Sequence, residues 1–281
     1  MNKIKTKLIP VILLVAVISF LNTSCQKSFD PSSYAPAESF GGYSSSSQIA
    51  PSNLVGYFAF DNSLADSVST TTATNYGTTY TTGIKGKALQ IGLNNYAVFT
   101  PTTAIKSLQS MTVAFWVNTS QNSAGIQTPI CFVNSTQFWA NLDMFFDGQT
   151  STSSVFKIHA FGNGGSSETW LTSWSLPSPW SNWIHIALTY DATTYTFKFY
   201  ENGVMVGSSV QSNFGPLNFA NFPAIVFGTS QFETTPSLTS GATSQSWASF
   251  VLGAIDQVRI YNKALAGSDV KALYQLENIG E

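Results

Sequence analysis

Charge is what this 281-residue sequence has least of. Asp, Glu, Lys and Arg together make up 9% of it, against roughly 25% in ordinary soluble chains. A net charge of −2 leaves no basic patch to neutralise phosphates, so nucleic acid is excluded as a partner. Cysteine is nearly absent: Cys25 and Cys131 cannot build a disulfide framework. The two histidines, His159 and His185, stand singly in alternating segments, with no nucleophile motif such as G-x-S-x-G nearby. They read as structural. What fills the gap is Ser, Thr, Asn and Gln, beside 43% hydrophobic and 14% aromatic residues, enough for one large core.

The first 24 residues read as an export signal. Three lysines in "MNKIKTK" precede a 14-residue apolar run, Leu8 to Leu21, too short to span a bilayer comfortably and right for a signal-peptide core. "NTSC" follows and resembles the bacterial lipobox, in which the cysteine, here Cys25, becomes the lipidated first residue. Asn22 departs from the strict consensus, of which looser versions are common in Bacteroidetes-like lipoproteins. The resemblance implies an exported protein with a lipid anchor in a membrane, at the outer membrane or cell surface. Cys131 is then left without a partner, and its apolar context "PICFV" makes it a buried, inert thiol.

Residues 25–52, rich in Ser, Pro, Gly and Ala and without periodicity, are expected to form a flexible tether. From residue 53 to 281 the texture changes to period-two alternation. Ile184, Ile186, Leu188 and Tyr190 share one face of a strand, as do Val113, Phe115 and Val117. Tyr195, Phe197 and Phe199 do the same while Lys198 points away. "DATT" (191–194) joins two strands, and Asn202-Gly203 marks a hairpin because both residues tolerate positive φ. One helix is expected, at the C-terminus in "SDVKALYQLE", with Ser268 as its cap and Asp269 in the first turn. Many short strands without a βαβ rhythm predict an all-β, two-sheet antiparallel sandwich in a single domain.

The order of segments "LVGYFAFDNSLADSV", "GIKGKALQIG", "SMTVAFWVNT", "WIHIALTYDATTYTFKFYENGVMVGS" and "GAIDQVRIYNKALAGSDVKALYQ" resembles LamG-like jelly-roll domains of the concanavalin A-like lectin/glucanase superfamily. The resemblance covers about residues 54–276, with the middle, 120–180, not recognisable. It implies a jelly roll with one concave sheet, often with a structural calcium ion. It does not fix a function, because the fold carries lectins, glycosidases and adhesion modules.

Glucan-cleaving members carry paired glutamates on one strand in a Glu-x-Asp-x-(x)-Glu pattern, which sets two carboxylates at the spacing that acid and nucleophile require. The six glutamates here (Glu38, Glu168, Glu201, Glu233, Glu277 and Glu281) form no such strand. The nearest acidic pair, Asp143 and Asp147 in "DMFFD", would share a strand face, but Asp147 precedes Gly148 and reads as a turn residue. For metal, Asp61 and Asp66 lie in a turn-like segment at the domain start, and Asp256 lies inward on the last strand. An inward carboxylate must be paired, hydrogen-bonded or bound to a cation. The resemblance places the first and last strands side by side, which makes Asp61, Asp66 and Asp256 a candidate calcium site. Backbone hydrogen bonds at Asp256 are the alternative.

Four of seven tryptophans fall in "ETWLTSWSLPSPWSNW" (168–183). Trp116 and Trp183 match core positions of the resembling family. Trp139, Trp170, Trp174, Trp180 and Trp247 lie outside regular core patterns, and with Glu168 they are candidates for stacking on sugar rings. The leading expectation is a lipid-anchored, non-catalytic protein that binds a polysaccharide or glycan. A surface module with a protein partner is the second reading, and a glycoside hydrolase or lyase the third.

Overall fold

The computed structural model describes residues 38–281. The signal segment, Cys25 and the first part of the expected tether lie outside the described residues. Strands are numbered along the chain. The first sheet runs, edge to edge, β13 (Val204–Val210), β12 (Thr196–Glu201), β11 (Ile184–Asp191), β6 (Met111–Thr119), β16 (Gly253–Tyr261), β4 (Lys87–Ile91) and β3 (Thr79–Thr82), with β1 (Leu54–Phe58) also paired to β16. The second runs β10 (Ser167–Pro177), β9 (Ser153–Gly162), β8 (Leu142–Asp147), β7 (Ile126–Phe132), β14 (Ile225–Phe227), β5 (Tyr96–Phe99) and β2 (Thr74–Tyr76). Pairing is antiparallel throughout, except for the two-residue β15 (Ala248–Ser249), which lies parallel to β7. This is the expected jelly-roll sandwich.

Alternation does what the sequence asks of it. Val113, Phe115, Val117, Ile186, Leu188, Phe197 and Phe199 meet Phe132, Met144, Phe146, Phe156 and Ile158 in one core between the sheets. Asn202 and Gly203 both take positive φ, +48° and +74°, and close the β12–β13 hairpin. Yet β11 is buried on both faces. Its outer side, with Ala114, Tyr200 and Tyr261, is roofed by the C-terminal helix α2 (Gly267–Asn278), which inserts Val270, Leu273 and Leu276. A single turn, α1 (Thr103–Lys106), capped by Thr102, was not anticipated. Ser268 is not the cap of α2: Ala266 holds that position and makes no side-chain bond, while Asp269 does sit in the first turn.

The tether expectation is corrected over residues 39–52. The compact unit begins at Ser39, because the serines there satisfy one another and the domain. Ser45 and Gln48 form a reciprocal capping box. Ser46 accepts a hydrogen bond from Arg259 at 3.0 Å and donates to the Glu281 carbonyl at 2.8 Å. Ile49 is buried with the residues of α2. A composition that usually marks a linker is used here as a belt beneath the helix.

Candidate functional site

The outer face of the second sheet carries the site. Strand alternation puts Phe145 of β8 opposite Lys157 of β9, and Trp170 of β10 opposite His159 of β9. Two excursions reach over this face. The β7–β8 connection brings Trp139, and the long connection from β14 to β15 brings Trp247. The Trp139 ring lies 4.9 Å from that of Trp170 in an edge-on arrangement and 5.8 Å from that of Trp247. It stacks on Phe145 at 5.6 Å, 7° from parallel. Together with Ile126, Asp147 and Lys157 these rings line an open pocket of about 420 Å³. Trp170 and Trp247 are 39% and 41% exposed, so both keep ring surface in water. The pocket shares Ile126, Asp147 and Trp247 with a smaller neighbouring hollow lined by Asn122 and Gln149.

The walls are held in advance of any ligand. Gln231 donates to the Gln137 and Phe138 carbonyls at 2.8 and 3.0 Å and accepts from Asn134 N at 2.7 Å. Glu233 accepts from Ser244 Oγ at 2.8 Å and Gln245 N at 2.6 Å, just before Trp247. Rings on pinned loops lose little freedom when a ligand arrives.

Beneath the pocket, Cys131, Asp143, His159 and Trp170 form one cross-strand row. Asp143 and His159 are fully buried. Burial raises the Asp143 carboxyl to about 7 against the pull of the Ala140 N–H. Burial likewise lowers His159 to about 4, over the opposing influence of Glu168. The imidazole is therefore neutral at physiological pH, and its 3.0 Å contact with half-exposed Glu168 is a hydrogen bond donated by Nε2 rather than an ion pair. His159 Nδ1 and Asp143 Oδ1 have no partner, and Nδ1 lies 3.8 Å from Asp143 Oδ2. Cys131 is buried beside Asp143, and burial pushes its thiol well above the ordinary range. It is inert, as its context implied.

Asp143 makes a checkable contribution to stability. Its carboxyl holds a proton in the folded state up to about pH 7 that the unfolded chain releases near 3.8. Its stabilising effect is complete below about pH 4 and disappears as the pH rises through 7. His159, shifted the other way, contributes stability that is lost as the pH falls from 6.5 towards 4. The two slopes oppose each other in the wild type, so the informative quantity is the difference between Asp143→Asn and wild type. We expect the urea midpoint of Asp143→Asn to gain on wild type as the pH rises from 4 to 8; a pH-independent gap would refute the assignment.

Several sequence-based candidates lie elsewhere. Trp174 is 6% exposed and stacks on Phe199 at 4.9 Å inside the core. A bulge between Leu171 and Trp174 inserts an extra residue opposite β9, so Trp174 faces away from Trp170 despite the even spacing. Trp180 packs on Phe146 and donates its indole N–H to the Thr150 carbonyl at 2.6 Å. Trp183, expected in the core, is only half-buried. Trp116 is buried as expected, but under α2, where its N–H meets Glu277 at 2.8 Å. The residues not foreseen are Phe145, Lys157 and Ile126. Nothing local in the sequence said that Phe145 and Lys157 meet the tryptophans.

The three aspartates do not assemble into a cation cage. Asp66 is sealed in its own loop and accepts from Tyr57 N, Val68 N, Ser69 N and Ser69 Oγ. Asp256 accepts from Ile84 N at 2.9 Å and Gln257 N at 2.8 Å, with Lys85 N at 3.3 Å. Asp61 accepts from Lys87 N at 2.6 Å. Asp61 and Asp256 thus clasp the 83–87 turn, and no cluster of three metal-ligating side chains occurs among the described residues. The donors already present fit these acids better than calcium does. Chelator is expected to leave the melting temperature unchanged, whereas an ion bound only to the folded state would give a fall.

The fold has many relatives of known structure. Domain 4 of a GH43 extracellular arabinanase from Geobacillus stearothermophilus, solved with arabinotriose, superposes with a TM-score of 0.56 at 22% identity, over 79% of this chain and 98% of that one. The binding domain of Paraclostridial mosquitocidal protein 1 gives 0.57 at 15% identity, over 79% of this chain and 52% of that one. Botulinum neurotoxin type C, whose cell entry is dependent upon interaction with two ganglioside molecules, gives 0.57 at 14%, over 83% and 53%. This chain therefore spans about half of each toxin chain, and at these identities the likeness is one of fold. A search among curated proteins finds no match. The sequence profile Laminin_G_3 matches residues 92–271, more than half of the chain, and with the sandwich described above it makes this protein a member of the concanavalin A-like lectin/glucanases superfamily.

Proposed function

We propose that the protein binds a neutral polysaccharide in the pocket at Trp139, Trp170 and Trp247, and that it does not cleave it. The observation that carries this reading is the convergence of three indoles from three separate chain segments on one open pocket. Sugar rings present apolar C–H faces that stack on such surfaces, while their hydroxyls exchange hydrogen bonds with amides and carboxylates. Glu168, steadied by His159 two residues from Trp170, is such an acceptor. The pocket's charges cancel: Lys157 and Asp147 pair at 2.5 Å, which leaves no surplus cation for an acidic sugar. The two carboxylates near the rings are both engaged, Asp147 with Lys157 and Glu168 with His159, whereas glycoside hydrolysis calls for a free acid and nucleophile pair. Asp143, the other half of the nearest acidic pair, is sealed below.

The export signal and "NTSC" support a lipid-anchored protein at the outer membrane or cell surface. Native gels containing arabinan, galactan, xylan, mannan, mixed-linkage β-glucan or polygalacturonate test the binding. Retardation by at least one neutral polymer, with no release of reducing ends, is expected. Retardation by none of them, or sugar release from any, would remove this reading. A protein-partner role draws on the edge strand β13, where Val204, Met205, Val206 and Val210 are exposed. A single dominant surface protein recovered in a pulldown would favour that role.

A further inference from the structure

A second pocket opens on the same outer face, near the opposite edge of the second sheet. Tyr76 on β2 and Tyr96 on β5 are directly opposed across the strands, with ring centroids 4.6 Å apart and planes within 13° of parallel. Tyr96 is buried, and its hydroxyl is occupied, accepting from Thr235 N at 2.9 Å and donating to the Thr235 carbonyl at 3.2 Å. It is a fixed backing plate. Tyr76, 42% exposed, lies against it and turns its other face to water. Gly77, Asn94, Asn95, Thr235 and Phe250 complete a hollow of about 370 Å³. Gly77 has φ +81°, and a Cβ there would collide with the Asn95 amide, so glycine is what lets that amide close in beside the tyrosine. None of the lining residues is charged.

We propose that this hollow is a second carbohydrate subsite, selective for neutral glycans, and that one polysaccharide chain engages both pockets at once. The chemistry matches the first pocket: an aromatic platform with one open face, ringed by side-chain amides that donate and accept. An uncharged lining offers no counter-charge to a phosphate, carboxylate or metal ion. The placement matches as well. Val98, Val226, Cys131, Asp143, His159 and Trp170 form a continuous cross-strand row, and Tyr96 lies two residues from Val98 on the same face. From Tyr76 on β2 to Trp170 on β10 is six strand steps, or about 29 Å at about 4.8 Å per step, a span for several sugar units. Trp247, which lines one pocket, and Phe250, which lines the other, flank the short β15. Two weak subsites held at a fixed separation bind a polymer far more tightly than either binds alone, because the second contact becomes intramolecular.

This inference rests on the carbohydrate reading of the first pocket, and the test separates the two. Wild type, Trp170→Ala, Tyr76→Ala, Asn94→Gly and the Trp170/Tyr76 double variant are run on native gels containing arabinan, galactan, xylan, mannan or mixed-linkage β-glucan. Asn94 has φ +62°, so glycine keeps the turn and removes only the amide, which guards against a variant that merely misfolds. Tyr76→Ala is expected to weaken retention about tenfold, or ~1.4 kcal/mol, with Asn94→Gly weakened in the same direction and the double variant unretained. Wild-type retention in both Tyr76→Ala and Asn94→Gly, beside loss in Trp170→Ala, overturns the second subsite and leaves the first standing. Loss in Tyr76→Ala with full retention in Trp170→Ala does the reverse. No retention of wild type by any of the five polymers overturns both.

Discussion

Trp170→Ala and Trp247→Ala should each weaken polysaccharide binding by about 10- to 30-fold, and the pair together should remove measurable retention. Truncating a large aromatic at the centre of a binding surface costs about 2 kcal/mol, and ~1.4 kcal/mol is a factor of ten. Both rings pack against Trp139, so their effects will not simply add. Because each ring is substantially exposed, folding should be hardly disturbed, by less than about 1 kcal/mol. Isothermal titration with the retained polymer, alongside thermal melts, separates the two quantities. Unchanged affinity in both single variants would end the case for this pocket.

Glu277→Ala should destabilise the domain by about 3–5 kcal/mol. Glu277 is fully buried, on the last turn of α2. Its carboxylate accepts from Arg259 Nε at 2.7 Å and from the Trp116 indole at 2.8 Å. Arg259 is itself 2% exposed and lies 3.9 Å from the centroid of the Tyr57 ring. Removing one member of such a pair leaves the other charge buried without its counter-charge. His185 packs nearby, with Nε2 4.0 Å from Glu277. Burial first, and then Arg259, hold its pKa down to about 3, so it is neutral and cannot substitute for either charge. Denaturant unfolding of Glu277→Ala measures the loss. A loss under 1 kcal/mol would mean that the pair is solvated in solution. Replacing Glu277 and Arg259 together by leucine and methionine should recover much of the stability, since a well-packed apolar substitute is often neutral or better.

The sandwich was legible because its signals are local. Alternation in 184–190 and 111–119 assigns inner faces one residue at a time, and Asn202-Gly203 specifies a hairpin without reference to the rest of the chain. The site was legible in part. Trp139, Trp170 and Trp247 stood out as rings without a core pattern, and all three line the pocket. Trp174 has the same local appearance and lies inside the core. The difference is one inserted residue in β10, which reverses strand parity and leaves no mark in composition. Asp256 stands out in the sequence as an inward acid that needs a partner, and Asp66 as a turn acid that could join it on a cation. That the partners are backbone N–H groups depends on how the 66–69 and 83–87 turns close.

By itself, the sequence determined the class of fold, the inward faces of its strands, the scarcity of charge and the surplus of indoles. Only the tertiary structure decided which indoles stay wet. It also decided that a serine-rich stretch packs under α2, and that two aromatic pockets lie on the same sheet. The physical reason is range. Periodicity and turn chemistry act over a few residues, whereas Trp139, Trp170 and Trp247 meet only after strands far apart in sequence pair in register, and Trp174 parts from them because a bulge shifts that register by one.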